Sequence, residues 1–296
     1  MYLLDRKQRH TVNYTWMIVS LLLIAFMPFF LFTGLYVKSF YLLHDFSLTE
    51  LLFSREWRPS AGKFGFYPFI VGSIWVTMIA MLISAPVCLL TAIYVTQYTK
   101  KFFLRIMHPA IDILAGIPSV VYGVWGILVI VPFISNYLGP MMGIKTMGYS
   151  ILAAAFVLSI MIIPFILNIL IEIFRSIPVE LKEASLSLGA TQWQTIKKVM
   201  MRKALPGIIA AFGFGLARAF GETMAVLMVV GNVVKIPKSV FDPGYTLPAL
   251  IANNYGEMLS IPRYDSALMF AALILLVVSL FFNLIMHFFI SKYNQY

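Results

Sequence analysis

Six long apolar stretches, separated by shorter polar segments, dominate the chain. They cover approximately residues 16–37, 68–95, 109–133, 149–171, 206–230 and 267–290. A helix needs about 20 apolar residues to cross the hydrocarbon core of a bilayer, and each stretch is long enough. A helix also satisfies its own backbone hydrogen bonds, for which lipid offers no partners. The pattern therefore predicts an all-α integral membrane protein with six transmembrane helices.

Composition and charge support this class and add an orientation. Of the 296 residues, 61% are hydrophobic and 11% are charged, whereas soluble proteins are about 25% charged. The net charge of +10 comes from basic residues beside the apolar stretches, and most of the 22 Lys and Arg residues fall on one predicted side. Such a bias marks the cytoplasmic side, so both termini are predicted to be cytoplasmic and no nucleic-acid partner is expected.

The predicted organisation has two parts and one prominent polar segment. Residues 1–66 are predicted to form a cytoplasmic tail, the first transmembrane helix and an external loop, and residues 67–296 a core of five transmembrane helices. Residues 172–205 are the longest cytoplasmic segment, and residues 231–266 are predicted to form an external loop. The polar and turn-forming residues of that loop favour exposure to water.

Residues 172–205 carry signals for two short helices. Ser176 is a candidate N-cap with Pro178 in the first turn, and Gly189 stands where a left-handed residue often ends a helix. Thr191 and Gln194 form a capping-box pattern for the second helix. The segment therefore predicts a helix, a glycine turn and a second helix. An ordinary amphipathic connector is the alternative.

Three ionisable residues interrupt the apolar stretches. Arg218 and Glu222, four residues apart, would share one face of a helix, and Asp112 lies in the third stretch. Charged side chains within a membrane are costly and usually face a bundle interior or a polar path.

The pair of Arg218 and Glu222 has two interpretations. In the first, the two side chains neutralise one another and fix helix packing. In the second, Arg218 offers its planar guanidinium fork to an oxyanion in transit, assisted by Glu222 and the hydroxyl group of Thr223. Asp112 is a candidate for the same path or for an ion pair near the membrane surface.

The sequence lacks the residue patterns that carry catalysis or metal binding. Cys88 is the one cysteine, and the four histidines are scattered without ligand spacing. No G-x-x-x-x-G-K-[ST] phosphate loop is present, so this chain is not expected to bind ATP in the usual way. We therefore predict that it is not an enzyme and holds no metal or cofactor of its own.

Several motifs resemble those of one family of membrane proteins. The pattern E-A-S-x-x-x-G resembles the EAA motif of ABC-importer permeases, with serine in place of the usual third alanine; its residues are Glu183, Ala184, Ser185 and Gly189. The runs GIPSVVYGVWG (116–126), LARAFGETMAV (216–226) and TLPALIANNYGE (246–257) resemble the PstC-type permeases of phosphate-specific ABC importers. The resemblance covers the chain from about residue 57 onwards.

The resemblance implies a fold, a set of partners and a role for the marked residues. It implies the type I ABC importer permease fold in membrane lipid, a homologous second permease (PstA-type), two ATPase subunits (PstB-type) that bind ATP and Mg²⁺, and an external phosphate-binding protein (PstS-type). The EAA-like helix would dock on an ATPase subunit. Arg218, Glu222, Thr223 and Asp112 would line a phosphate path between the two permeases.

Other functions stay open at this stage. A related permease would carry another oxyanion, such as sulfate, molybdate or phosphonate. A secondary carrier independent of ATP is opposed by the EAA-like segment and by the lack of an evident inverted repeat.

Overall fold

The computed structural model describes residues 6–256 and 261–293, which are mostly helical. In chain order the helices are α1 (Arg6–Asp45), α2 (Leu48–Phe53), α3 (Tyr67–Gln97), α4 (Lys101–Gly116), α5 (Ser119–Met141), α6 (Ile151–Arg175), α7 (Val179–Ser187), α8 (Gln192–Phe220), α9 (Met224–Val229), α10 (Leu247–Asn254) and α11 (Pro262–Tyr293). Helices α5 and α8 include π-helical turns, at Gly126–Ile130 and Ile134–Leu138 and at Ile196–Met200 respectively. A two-stranded antiparallel hairpin, β1 (Trp57–Arg58) and β2 (Lys63–Phe64), follows α2.

The prediction of six transmembrane helices is confirmed. Among the described residues, six helices are long and apolar enough to cross a membrane: α1, α3, α5, α6, α8 and α11. Helix α6 lies at the centre and is the most buried of the six, with α3 packed along it and α8 against both. Helix α1 packs along α11, and its side chains from 13 to 34 are exposed.

The third predicted span, 109–133, is wrong in position. Helix α4 ends at Gly116, Ile117 is extended with ψ 129°, and α5 begins at Ser119. The cause is Pro118, because a residue that precedes proline is sterically disfavoured in the helical region. Asp112 therefore lies on a separate helix outside the membrane-crossing segment, and it is exposed rather than buried.

The fifth predicted span, 206–230, is also displaced. Helix α8 begins at Gln192, well inside the predicted polar segment, and continues through Pro206 to Phe220. The chain then leaves the helix at Gly221 and resumes as the short α9. The predicted external loop 231–266 contains α10 and the start of α11. Its residues 257–260, and thus Glu257 of the TLPALIANNYGE run, lie outside the described part of the chain.

An aromatic cluster joins the hairpin to the ends of two spans. The Trp57 ring packs edge-on against Phe64, Phe66, Phe69 and Tyr264, with ring centroids 5.1 to 5.9 Å apart. Beside it, Lys63 Nζ donates to Glu56 Oε2 at 2.6 Å, and this hydrogen bond and charge lower the pKa of the Glu56 carboxyl group. The hairpin and its aromatic contacts thus form an ordered cap on the bundle.

Glycine 72 permits the closest approach between α3 and the segment that leads into α10. A Cβ atom at this position would collide with the carbonyl oxygen of Tyr245, which belongs to the backbone and cannot rotate away. The adjacent Ser73 Oγ accepts a hydrogen bond from the backbone N–H of Leu247 at 2.8 Å.

Substitution of Gly72 by Ala is expected to destabilise the protein. Overpacking of a filled site costs about 1–3 kcal/mol, so the midpoint of thermal unfolding in detergent should fall. Gly34→Ala is the matched control, because a Cβ atom there meets nothing within 4 Å and alanine is the better helix former. Equal unfolding midpoints for the two variants would contradict this account of the contact.

Candidate functional site

The helix that carries Arg218 is interrupted close after this residue. Helix α8 ends at Phe220, Gly221 is its C-cap, and α9 begins at Met224. Glycine is a weak helix former, which favours an ending here. The prediction that Arg218 and Glu222 share one face of a continuous helix is therefore wrong.

The guanidinium group of Arg218 packs on an aromatic ring of a neighbouring span. Its Cζ atom lies 4.9 Å from the centroid of the Phe165 ring of α6, and the side chain is exposed. Within the described part of the chain, no carboxylate lies within ion-pair distance of Arg218. Phe165 thus holds the cation by a cation–π contact and leaves its hydrogen-bond donors available.

Glu222 and Thr223 stabilise the interruption. The Oε1 atom of Glu222 accepts a hydrogen bond from the backbone N–H of Ala225 at 3.4 Å, in the first turn of α9, where a negative charge is favourable. The Thr223 hydroxyl group donates to the Gly221 carbonyl oxygen at 3.4 Å. Both side chains are half-buried, so they hold the backbone at the break instead of neutralising Arg218.

Helix α6 brings Asp112 to the same face as Arg218. The Nδ2 atom of Asn168 donates to Asp112 Oδ1 at 3.1 Å, so the partner of Asp112 is a neutral amide and not the basic residue considered from sequence. Phe165 and Asn168 are three residues apart on α6 and therefore share one face. Arg218 and Asp112 consequently meet the same side of α6, roughly one helical turn apart.

The sequence analysis missed Phe165 and Asn168. Asn168 gives a usable signal, because an amide is unusual in an apolar run such as MIIPFILNILI and marks a side chain that needs a polar partner. Phe165 gives none, since a phenylalanine in a membrane helix is ordinary. The described part of α6 thus supplies two residues that organise the candidate site.

A groove with a mainly apolar lining continues from Asn168 along α6 towards α7. An open groove of 570 Å³ is lined by Asn168, Ile169, Glu172, Ile173 and Ser176. A second groove of 830 Å³ shares Ile173 and Ser176 and lies between the start of α7 and α8. Three cationic side chains line this second groove: Lys198, Arg202 and Lys203.

The EAA-like segment folds as a helix, a glycine turn and a helix. Gly189 has φ +82° as expected of a left-handed C-terminal residue, and the capping box of Thr191 and Gln194 is present. Both predictions are confirmed. Ser176, however, is the C-cap of α6, and Pro178 is the N-cap of α7. The predicted cap at Ser176 is wrong because α6 extends through Arg175.

The four motif residues divide into an exposed part and an anchored part. Glu183 and Ala184 are exposed on α7 and are free to meet another subunit. Ser185 faces α8, where its Oγ atom lies 2.9 Å from Oγ1 of the buried Thr195. Serine can make this hydrogen bond, whereas the alanine usual at this position of the motif cannot.

Known proteins resemble this chain along most of its length. The sequence profile of the binding-protein-dependent transport system inner membrane component matches residues 88–295. The "Probable ABC transporter permease protein YqgH" of Bacillus subtilis is 39% identical over 264 residues, which cover 88% of this chain and 84% of that protein. The "Phosphate transport system permease protein PstC" of Xylella fastidiosa is 38% identical over 244 residues, which cover 78% of this chain and 75% of that protein.

Two solved structures share the fold at low sequence identity. A chain of a bacterial alginate ABC transporter, in complex with an alginate-bound periplasmic protein, matches with a TM-score of 0.63 and 16% identity, over 94% of this chain and 93% of that one. A chain of the inward-facing MetNI methionine ABC transporter matches with a TM-score of 0.55 and 21% identity, over 77% and 93%. At these identities the likeness shows the fold alone, that of a type I ABC importer permease.

Six apolar helices, polar side chains along one face of α6 and an exposed EAA-like helix define a multi-pass permease of the inner membrane. The chain belongs to the family of binding-protein-dependent transport system inner membrane components. It is the transport subunit of an ABC importer, a class that works with ATPase and substrate-binding partners.

Substitution of Gly189 by Val is expected to weaken ATPase association. A β-branched residue in the left-handed conformation costs about 1–2 kcal/mol, whereas an added Cβ atom itself meets nothing within 4 Å. Val should therefore lower the amount of ATPase subunit that co-purifies with the tagged permease several-fold. Gly189→Asn, which tolerates this conformation, should retain most of it. Equal recovery with Val and with glycine would show that association does not require the turn.

Proposed function

We propose that this chain is a permease subunit of an ATP-driven inorganic phosphate importer. Relatives named phosphate transport system permease proteins support the substrate. The observation that carries the proposal is Arg218, an exposed guanidinium group in a membrane-crossing helix, with no carboxylate partner among the described residues. Such a charge is tolerated at membrane depth when it faces a polar path.

Arg218 has the chemistry required to recognise a phosphate in transit. Its planar fork offers parallel N–H donors that match two phosphate oxygens, which the ammonium of lysine does not. Phe165 fixes the guanidinium group from one side, so less conformational freedom is lost on binding. Asn168 and Asp112 lie on the same side of α6, and Glu222 and Thr223 keep the backbone open beside Arg218.

The route beyond Arg218 follows α6 towards the ATPase side. Phosphate leaving Arg218 would pass the groove that begins at Asn168 and reach the cations Lys198, Arg202 and Lys203. These three cations lower the energy of an anion at the second groove, and in the first groove Arg175 Nη1, 3.6 Å from Glu172 Oε1, offsets the charge of that carboxylate. The open side of the groove is where a homologous PstA-type permease would complete the path.

The exposed surfaces offer docking sites for the proposed partners. Glu183 and Ala184 on α7 would dock in a PstB-type ATPase, with two such subunits binding ATP and Mg²⁺. A PstS-type phosphate-binding protein would dock at the opposite end, on the segment before α3 and the segment that holds α10. Exposed cations there include Arg55, Arg58, Lys63, Lys235 and Lys238.

Substitution of Arg218 by Ala is expected to reduce phosphate uptake strongly while the complex still assembles. Hydrogen bonds to charged groups contribute about 1.5–3 kcal/mol, so uptake should fall roughly 10- to 100-fold. Arg218→Lys keeps the charge without the fork and should be intermediate. The measurement is ATP-dependent uptake of labelled phosphate by proteoliposomes that contain the purified importer.

Arg105→Ala is the control, because Arg105 is an exposed cation of the neighbouring α4 that takes part in none of the proposed contacts. Normal uptake by the Arg218→Ala variant would refute the pathway role. Uptake of sulfate, molybdate or phosphonate in place of phosphate would assign another oxyanion to the same path, and uptake without ATP would indicate a secondary carrier.

Replacement of Phe165 by Leu is expected to reduce uptake less than loss of Arg218 itself. The ring contributes about 0.5–1 kcal/mol to holding an exposed cation, so a two- to fivefold decrease is expected. Combining Phe165→Leu with Arg218→Ala should add no further loss. Independent, additive effects in the double variant would show that Phe165 does not act through Arg218.

A further inference from the structure

One end of α3 is tied to the EAA-like segment, from α7 to the first turn of α8 and called the docking segment below, on both sides of the turn at Gly189. Lys182 Nζ of α7 donates to the side-chain Oε1 of Gln97 at 3.1 Å. Gln192 Nε2, at the start of α8, donates to the backbone carbonyl oxygen of the same Gln97 at 2.9 Å. Gln97 is the last residue of α3, so a displacement of α7 or of the turn pulls directly on this helix end.

The opposite end of α3 is tied to the segment that enters α10. Ser73 Oγ accepts a hydrogen bond from the backbone N–H of Leu247 at 2.8 Å and donates to the Phe69 carbonyl oxygen at 2.9 Å. Ser73 is buried, and at Gly72 the two backbones approach so closely that no Cβ atom would fit. The backbone contact at Gly72 therefore restricts sliding of α3 against the Tyr245 segment.

Between Ser73 and Gln97, α3 is one continuous helix. The 24 residues that separate these two positions extend over about 36 Å at 1.5 Å per residue. It packs along α6, and Cys88 Sγ, two residues after the helix-interior Pro86, donates to the Ile163 carbonyl oxygen of α6 at 3.6 Å. A densely packed interior transmits displacement rather than absorbing it.

We propose that α3 is the strut that couples the two docking surfaces, with Gln97 and Ser73 as its joints. Loading of a binding protein on the segment before α10 would shift Ser73, and α3 would carry the shift through Gln97 to α7 and the ATPase. Coupling of this kind is reciprocal, so ATP binding would act on the opposite surface by the same route. This inference rests on the proposed docking of an ATPase at α7 and of a binding protein at the α10 segment.

The test measures how strongly phosphate-loaded binding protein stimulates ATP hydrolysis by the assembled importer in nanodiscs. Gln97→Leu, Lys182→Met and Ser73→Ala should each reduce the stimulation about fivefold or more. Gln97→Glu keeps the oxygen that accepts from Lys182 and should retain most of the stimulation. A purely structural role would lower the amount of assembled complex and leave the stimulation ratio unchanged.

Ser84→Ala is the matched control for Ser73, since Ser84 is also a buried serine of α3. In the described structure its hydroxyl group donates a hydrogen bond to Met81 Sδ of the same helix, at 3.9 Å, and so does not join α3 to another segment. It should leave stimulation unchanged. If Ser73→Ala impairs assembly, the surface variants Lys182→Met and Gln192→Leu decide the question at the other joint. If Gln97→Leu and Lys182→Met show the same stimulation ratio as the wild type, the proposal is overturned. If phosphate-loaded binding protein does not stimulate even the wild-type complex, the proposed function is refuted instead.

Discussion

The candidate site depends on one constraint: a helix interrupted inside a membrane must find partners for the backbone groups that the interruption frees. At the end of α8 the chain meets this locally. The Gly221 and Glu222 N–H groups donate to the carbonyl oxygens of Ala217 and Ala219, both at 3.3 Å, and the Glu222 carboxylate accepts from the first turn of α9. With Glu222 directed to the start of α9, Arg218 has no carboxylate within ion-pair distance in the described structure, and its guanidinium group packs on Phe165.

The six spans follow from the sequence because a run of about 20 apolar residues has few alternatives to a membrane helix. Their ends are less predictable, since they depend on the backbone. Pro118 moves the start of the third span past Ile117. Helix α8 begins as early as Gln192, because its first turns are helical although they are polar and lie outside the apolar stretch. Composition separates apolar from polar residues, and it does not separate helix from loop.

Features of the site that depend on neighbouring residues in the sequence were predictable, whereas contacts between distant residues were not. The left-handed Gly189 and the capping box at Thr191 are determined by neighbours within a few residues, and both were predicted correctly. Arg218 was conspicuous as a charge in an apolar run. Its partner Phe165 lies 53 positions away in the sequence and resembles any other membrane phenylalanine. No single sequence reveals such a contact.

The two central helices connect the transport path to its energy source. The contact between Arg218 and Phe165 joins α8 to α6, so a relative movement of these helices changes the direction of the guanidinium group. Helix α8 begins at the capping box of the docking segment, while α6 is packed along α3, whose end is bonded to the same segment through Gln97. A shift of the docking segment therefore acts on α8, which carries Arg218, and through α3 on α6, which carries Phe165. On the proposed function, this geometry converts a movement at the ATPase into a change in how firmly Arg218 holds phosphate.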